Sequence, residues 1–196
     1  GRPPHASWEL AESLVGAVAG AEGVISFGSG TITDLVKHAT FMAEQAGAGG
    51  AWWICCPTAC TVTAYSSNMS VLLIDGVKRT VGSREPDVIL ADLQLLADAP
   101  PELTAAGLGD MVARSVAYGD WYLADVMGLD DTFDETPIGL LACAERRLFE
   151  CAGGMTRGDE SAISALLDSI LLAGVAMSVT GQTTPISGWE HVISHY

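Results

Sequence analysis

The chain has 196 residues, of which 49% are hydrophobic and 17% are charged, and this composition excludes a disordered or fibrous protein. Nine Lys and Arg residues against 24 Asp and Glu residues give a formal net charge of −15. A surface this acidic repels phosphate backbones and anionic headgroups, so we expect no nucleic-acid binding and no binding to a membrane surface.

We also expect no membrane insertion. The longest apolar stretch, 166–179, contains Asp168 and Ser169 and falls short of the roughly 20 residues that a span needs. The sequence does not open with the pattern of a secretory signal, so a cytoplasmic protein is expected.

The first half of the sequence alternates helical and β patterns. Apolar residues at helical spacing predict a helix over 8–19, and a β-prone run predicts a strand over 24–27. Helical spacing resumes over 32–39, and the apolar run 51–56 predicts a second strand. Strand, helix and strand in this order predict a βαβ unit with a parallel sheet.

The pattern changes near residue 92. Before it we expect strands over 68–74 and 77–81, joined by an Asp75-Gly76 turn, and a short strand over 86–91. After it Leu, Ala and Met dominate. The helices predicted there are 93–98, 102–127, 137–153, 159–180 and one from Ser187 onward. The fold class is therefore an α/β part, residues 1–92, followed by an all-α part, residues 93–196.

The five cysteines do not predict a disulfide framework. Their number is odd, and Cys55 and Cys56 are adjacent, which is poor geometry for a bridge. With Cys60 these two have the residue types of a metal site, but they follow apolar residues in a predicted strand. Buried free cysteine behaves as a small hydrophobe, and we expect core thiols.

A glycine turn, Gly28-Ser29-Gly30-Thr31, separates the first predicted strand from the next helix. Unpaired amides and the helix dipole make such a helix start an anion site that fits a diphosphate. Position 33 is Thr, so the turn is not the usual G-x-G-x-x-G fingerprint, and a purely structural turn remains open. Lys37, one turn further along, either assists the diphosphate or sits in water.

Thr58 and Thr61 follow the second strand, at the carboxyl edge where open α/β sheets place ligands. They have the hydroxyls to bind a dinucleotide, and they equally suit the capping of a helix or turn.

Further along, Gly109 interrupts a helical pattern, which suggests a close approach of backbone or ligand. Asp110 and Arg114 are four residues apart and form a helix ion pair in the plainest interpretation.

Two of the four histidines, His191 and His195, lie four residues apart near the C-terminus and share a helix face. Neutral imidazoles so placed bind a divalent metal or contact a substrate, although a bare His-x-x-x-His spacing also arises by coincidence.

Five motifs resemble, in order, the dehydroquinate-synthase-like and iron-containing alcohol dehydrogenase superfamily, and most closely its sn-glycerol-1-phosphate dehydrogenase branch. The motifs are GSGTITDLVK (28–37), PTACT (57–61), GVKRT (76–80), AAGLGD (105–110) and SGWEHVISH (187–195). The resemblance implies a partial Rossmann-like dinucleotide-binding domain over 1–92 and a helical metal- and substrate-binding domain over 93–196. It also implies NAD or NADP and a divalent metal, zinc above all, in the cleft between them.

Individual roles follow from the same resemblance. The cofactor-binding residues that it implies are Gly28, Ser29, Gly30, Thr31, Asp34, Thr58, Thr61 and Ser67. It makes Asp110 and His191 metal ligands and Asp110 and His195 catalytic residues. The substrate contacts that it implies are Thr63, Asp110 and His195.

The sequence departs from the family pattern in three ways. Thr63-Ala64 stands where the family has Asp or Asn followed by Gly. A third histidine ligand lies further along in the family, whereas this sequence stops at Tyr196. Family members also begin with a strand-helix-strand block ahead of the glycine turn, so we expect an internal piece of a longer enzyme, incomplete at both ends.

The function implied is a metal-dependent, NAD(P)-linked oxidoreductase that interconverts dihydroxyacetone phosphate and sn-glycerol 1-phosphate for phospholipid synthesis, and we expect a homo-oligomer. Lys78, Arg79 and Arg114 are candidate partners for the substrate phosphate. Asp110 argues against a lyase of the dehydroquinate synthase type, which has Glu there. The alternatives are a glycerol or polyol dehydrogenase and a non-catalytic remnant or nucleotide-binding module.

Overall fold

The described part of the chain, residues 5–155 and 157–194 of a computed structural model, has a first half with strands and a helical second half. The elements of the first half alternate as predicted. They are α1 (Trp8–Val18), β1 (Gly23–Gly28), α2 (Gly30–Gln45), β2 (Trp52–Pro57), β3 (Met69–Ile74), β4 (Val77–Gly82) and β5 (Val88–Ile89). A single 3₁₀ turn, Thr63–Tyr65, lies between β2 and β3.

Three strands form a parallel sheet in the order β1-β2-β5. Strand β1 pairs with β2 from Gly23 opposite Trp52 to Gly28 opposite Pro57, which confirms the predicted βαβ unit. Because parallel strands end at one edge, the glycine turn after β1 and the loop after β2 lie side by side. The backbone N–H of Thr58 donates to the carbonyl of Gly28 at 3.2 Å and ties the two strand ends together.

Strands β3 and β4 form the predicted hairpin as a separate antiparallel sheet. Its turn residues, Asp75 and Gly76, both have positive φ, 50° and 78°. Two positive φ angles in a two-residue turn match the twist of a hairpin, which explains why Asp-Gly predicts one.

One face of the parallel sheet carries large apolar side chains that are exposed to solvent. These residues are Ile25, Phe27, Val88 and Leu90, at 62%, 65%, 51% and 62% exposure. Parallel sheets usually have helices on both faces, but within the described residues no element covers these four side chains.

The second half is helical, as the composition change predicts. Its helices are α3 (Leu93–Ala97), α4 (Pro101–Val126), α5 (Thr136–Met155), α6 (Glu160–Thr180) and α7 (Trp189–Ser194). Pro101 begins α4, where its missing N–H costs nothing. Gly181, with φ of 70°, ends α6 in the left-handed conformation typical of helix ends.

Helix α6 runs through the core. It spans 21 residues and is, by length and composition alone, apolar enough to cross a membrane, which corrects the expectation that the stretch is too short. Asp168 does not interrupt the apolar side, because it faces outward and pairs with Arg147 at 2.6 Å. Ile163, Leu166 and Ile170 are fully buried, so the core accounts for the apolar character of the helix.

One core cluster draws on both halves of the chain. Trp53 of β2 and Tyr65 of the 3₁₀ turn belong to the same cluster as Met111 of α4, Leu141 of α5 and Leu166 of α6. A domain boundary near residue 92 stays a prediction. Cys55 and Cys60 are buried free thiols in this cluster, as expected, while Cys56 is half-buried.

The close approach of α4 is made by Gly107 and not by Gly109. A Cβ on Gly107 would lie 1.9 Å from the carbonyl oxygen of Cys60, whereas one on Gly109 would have no neighbour within 4 Å. Helix α4 therefore touches the loop after β2 through Gly107, and the expected close approach of backbone at Gly109 is wrong. The alternative, a ligand close to Gly109, stays a prediction. Two residues along a helix are about 200° apart, so the two glycines face opposite ways.

Candidate functional site

A cleft of about 760 Å³ lies between the glycine turn, the loop after β2, the hairpin and the start of α7. Elements that are far apart in the sequence therefore line the same cleft. The sequence-predicted site residues that line it are Gly30, Thr31, Asp34, Thr61, Thr63, Ser67, Asp110 and His191.

The remaining predicted residues lie elsewhere. Gly28, Ser29 and Thr58 are not among the residues that line the cleft. A Cβ on Gly28 would lie 2.7 Å from the side chain of Ile32, so this glycine is required by the tightness of the turn itself. His195 lies outside the described residues.

The glycine turn delivers the first turn of α2 to the cleft. Ser29 is the N-cap residue, but its side chain makes no capping hydrogen bond. Its carbonyl accepts from the backbone N–H of Thr33 at 3.1 Å and from the Thr33 hydroxyl at 3.2 Å. Gly30 lets the loop after β2 come close, because a Cβ there would lie 2.8 Å from Val62. The start of α2 thus lies against the wall of the cleft, with its positive dipole end there.

Asp34, on the cleft side of α2, is a buried carboxyl group. It is 7% exposed, and its Oδ1 accepts from the backbone N–H of Val71 at 3.2 Å. Burial raises its pKa from 3.8 to about 6, against the opposing effect of the nearby Lys37 ammonium. The charge at this point of the cleft therefore changes in the mildly acidic range.

Lys37, which follows Asp34 on α2, does not sit in water. It is fully buried, and its Nζ donates to main-chain carbonyls of the segment that follows β2. The interpretation that Lys37 sits in water is therefore wrong, while assistance to a diphosphate stays a prediction. A sequence pattern shows which face of a helix is buried, but it does not show which carbonyl groups pack against that face.

Asp110 of α4 and His191 of α7 meet at the cleft. Asp110 Oδ1 lies 3.7 Å from His191 Nδ1, and both side chains are partly exposed, at 23% and 31%. The predicted pairing of Asp110 with Arg114 is wrong, because Arg114 is buried and turns to α5. There its Nε and Nη2 lie 2.8 Å and 2.7 Å from Glu145 Oε1.

The atom types and the separation of these two side chains fit two ligands of one divalent ion. A carboxylate oxygen and an imidazole nitrogen are ligand atoms that zinc accepts at ~2.0–2.2 Å, so two of them on one ion lie at most ~4.4 Å apart. The observed 3.7 Å satisfies that limit. In the part of the chain that the structure describes, no group of three His, Cys, Asp or Glu residues comes together as a metal site.

A residue that the sequence did not single out holds α7 in place. The backbone N–H of Trp189, the first residue of α7, donates to Asp120 Oδ2 of α4 at 3.0 Å. Asp120 therefore ties the helix that carries His191 to the helix that carries Asp110. A lone Asp within a long helix gives no sequence signal for such a contact.

Thr63 brings a neutral hydroxyl to the cleft where the family pattern has a carboxylate or amide. Its hydroxyl lies 3.5 Å from the sulfur of Met177, and its carbonyl accepts from the N–H groups of Ser66 and Ser67 at 3.3 Å and 3.2 Å. The backbone hydrogen bonds of this turn are therefore formed with Thr63 in place.

Lys78 is the candidate cation that reaches the cleft. It lines the cleft from β4, whereas Arg79 is not among the lining residues and Arg114 is buried against Glu145. His5, which no sequence pattern selects, also lines the cleft and is exposed.

Comparison with known proteins places the chain among dehydrogenases. The family model for iron-containing alcohol dehydrogenase matches residues 2–100. The chain is 31% identical over 187 residues to a glycerol-1-phosphate dehydrogenase [NAD(P)+] from Halalkalibacterium halodurans, covering 95% of this chain and 45% of the relative. It is 34% identical to a protein of that name from Bacillus licheniformis, again covering 95% of this chain and 45% of the relative. The chain thus spans less than half the length of these curated relatives.

A solved structure shows the same fold. The sulfoacetaldehyde reductase of Bifidobacterium kashiwanohense in complex with NAD+ superposes with a TM-score of 0.75 at 19% identity, covering 98% of this chain and 53% of that chain. The predicted fold class, a parallel sheet followed by helices, is confirmed at this level.

Proposed function

The chain belongs to the iron-containing alcohol dehydrogenase family, and from that premise we propose that it carries the cleft of a metal-dependent, NAD(P)-linked oxidoreductase. The proposed reaction interconverts dihydroxyacetone phosphate and sn-glycerol 1-phosphate, the activity for which its relatives are named. One observation carries the proposal. Asp110 and His191, from different helices, lie 3.7 Å apart in the cleft that the glycine turn also lines.

The glycine turn and the start of α2 bind the dinucleotide in this proposal. Gly30 and Thr31 line the cleft where the first amides of α2 are unpaired and its dipole is positive, which suits a diphosphate. Thr61 adds a hydroxyl from the neighbouring loop. Ser67 lines the cleft beside it, with its hydroxyl bonded to the carbonyl of Met69 at 3.1 Å. Gly28, Ser29 and Thr58 shape the two strand ends that hold this turn, so they belong to the cofactor site through the backbone.

Asp110 and His191 hold the metal, for which we propose zinc. A divalent cation bound there would act as a Lewis acid on the ketone or alcohol oxygen of the substrate. Asp110 also faces the substrate, since it lines the cleft. Within the described residues no third His, Cys, Asp or Glu joins these two as a ligand group. Asp120 keeps the two ligands together by fixing the start of α7.

Lys78 favours a phosphorylated substrate over a free polyol. A phosphate needs a cation nearby, and charge-assisted hydrogen bonds to it are about twice as strong as neutral ones. The chain has nine Lys and Arg residues, and Lys78 stands at the cleft. Thr63 supplies a neutral donor and acceptor for a substrate hydroxyl, without the negative charge of an aspartate.

Apolar side chains form much of the remaining wall. Met69, Val71, Met177 and Ile186 all line the cleft. Such a wall limits water around the transferred hydride and leaves charge stabilisation to the polar groups that face the substrate. His195 is proposed as a further substrate contact, and a homo-oligomer in the cytoplasm remains part of the proposal.

The test is dihydroxyacetone-phosphate-dependent oxidation of NADH and NADPH, with and without added Zn²⁺. We expect turnover that needs the metal and falls at least a hundredfold in Asp110→Asn and in His191→Ala. Asp125→Asn, an acidic residue further along α4, is the control and should retain turnover.

Other outcomes decide between the alternatives. Glycerol oxidation without turnover of the phosphate would favour a polyol dehydrogenase. Dinucleotide binding without turnover of either substrate would favour a nucleotide-binding module. Turnover that is unaffected by both substitutions would contradict the proposed roles of Asp110 and His191.

A further inference from the structure

The buried ammonium of Lys37 is bound by backbone carbonyls. Lys37 is 0% exposed, and its Nζ donates to the carbonyls of Ala64, Ser67 and Met69, at 2.7 Å for Ser67 and 2.9 Å for Met69. The Ser67 hydroxyl lies 3.4 Å away. Removing an ammonium from water is costly unless its hydrogen bonds are replaced, and these acceptors replace them.

The three carbonyls belong to one short segment, residues 63–69, which connects the loop after β2 to β3. The same segment forms part of the cleft wall through Thr63, Ala64, Ser67 and Met69. An ammonium has three N–H donors and no acceptor, so it matches three converging carbonyls. Lys37 does for this segment what a bound cation does for a metal-binding loop.

Helix α6 holds segment 63–69 from the opposite side. The Ser66 hydroxyl donates to the carbonyl of Leu171 at 2.7 Å, and the Ser178 hydroxyl accepts from the N–H of Asn68 at 2.9 Å. Gly174 makes the approach possible, because a Cβ there would lie 2.1 Å from the Ser66 hydroxyl oxygen. The segment is thus fixed between α6 and the ammonium on α2.

We propose that Lys37 is a positioning residue that sets segment 63–69 in the cleft, so that this part of the wall meets the dinucleotide and Thr63 meets the substrate. The inference rests on the proposed function for what the segment binds. What holds the segment in place is independent of the proposed function, because the hydrogen bonds of Lys37 show it.

The protonation state of Lys37 offers a way to release the segment without a mutation. Burial lowers its pKa to about 8, while Asp34 on its own helix, Cys55 on β2 and Glu85 beyond β4 act in the opposite direction. A neutral amine has two N–H donors and a lone pair, so it no longer satisfies three carbonyls. We expect segment 63–69 to loosen as the pH rises through about 8.

The experiment compares wild type, Lys37→Met and Thr40→Val by amide hydrogen exchange and by NADH titration. Thr40 is buried on the same helix, and the partners of its hydroxyl among the described residues are carbonyls of that helix, those of Val36 and Lys37. We expect Lys37→Met to speed exchange in segment 63–69 at least tenfold relative to α5 and to weaken NADH binding at least tenfold. Thr40→Val should change the exchange rate of segment 63–69 relative to α5, and the affinity for NADH, less than twofold.

Wild type supplies a second measurement that needs no variant to fold. Exchange in segment 63–69, corrected for the intrinsic effect of pH, should rise through about pH 8, and the rise should be absent from Lys37→Met. Exchange that speeds up equally throughout Lys37→Met, with no rise in wild type, would overturn the proposal. So would a loosened segment with unchanged NADH affinity. If wild type binds no NADH, the proposed function fails, and the exchange data alone decide the role of Lys37.

Discussion

Asp34 is a cleft residue whose charge changes in the mildly acidic range. Its carboxyl group is buried beside the proposed diphosphate site, and its pKa is raised to about 6. The groups that act on it are the Lys37 ammonium from its own helix and the Val71 N–H from β3. Below pH 6 the Asp34 carboxyl is neutral. Above pH 6 it is a carboxylate, and its negative charge faces the negatively charged diphosphate.

Dinucleotide affinity should therefore fall as the pH rises through 6. We expect the Kd of NADH to increase about fivefold between pH 5 and pH 7, equivalent to a repulsion of about 1 kcal/mol. Asp34→Asn should bind at every pH about as tightly as wild type does at pH 5. Fluorescence titration of NADH across this range makes the measurement, and an unchanged pH profile in Asp34→Asn would show that Asp34 does not face the diphosphate.

At the residue scale the sequence predicted which residues lie at the candidate site better than it predicted their contact partners. The motif resemblance selected Asp110 and His191, which the fold brings together. Helical spacing paired Asp110 with Arg114, however, because spacing along one helix is visible in a sequence and the position of Glu145 on another helix is not. The role of Lys37 was not predicted for the same reason, since its partners are backbone carbonyls.

At the scale of elements, hydrophobic periodicity predicted the helices and strands well. The apolar spacing over 159–180 matches α6 (Glu160–Thr180), and Asp75-Gly76 marks the hairpin turn. What periodicity does not give is the rotation of one element against another. Gly107 and Gly109 show this, because the contact of α4 with the loop after β2 decides which of them is needed.

Alanine substitutions at these two glycines should have opposite effects. In Gly107→Ala the new Cβ would lie 1.9 Å from the Cys60 carbonyl oxygen, so α4 must shift, and we expect a loss of about 3 kcal/mol in the free energy of unfolding. Gly109→Ala meets nothing within 4 Å in a helix interior and should gain about 0.5–1 kcal/mol.

Urea denaturation of both variants checks the prediction, with wild type as reference. Equal destabilisation by the two substitutions would mean that α4 does not approach the loop through the Gly107 face.

At the scale of the whole molecule, the core joins the two predicted domains. Trp53 and Tyr65 lie before residue 92, and Met111, Leu141 and Leu166 lie after it, yet all five share one cluster. A composition change along a sequence marks a change of secondary structure, and it carries no information on whether side chains from both sides interlock.

We therefore expect the two halves to unfold together. Urea denaturation followed by Trp fluorescence and by far-UV circular dichroism should give coincident transitions, and Leu166→Ala should shift both by the same amount. Two separate transitions, one of them unmoved by the substitution, would show that residue 92 divides independently folding domains.

The most direct test of the account is the affinity of the chain for Zn²⁺, measured by competition with a chromophoric chelator. We predict one ion per chain, with binding weakened at least tenfold in Asp110→Asn and in His191→Ala and unchanged in Asp125→Asn. Equal affinity in all four proteins, or no binding by wild type, would contradict the assignment of Asp110 and His191 as a metal site and with it the proposed dehydrogenase chemistry of this cleft.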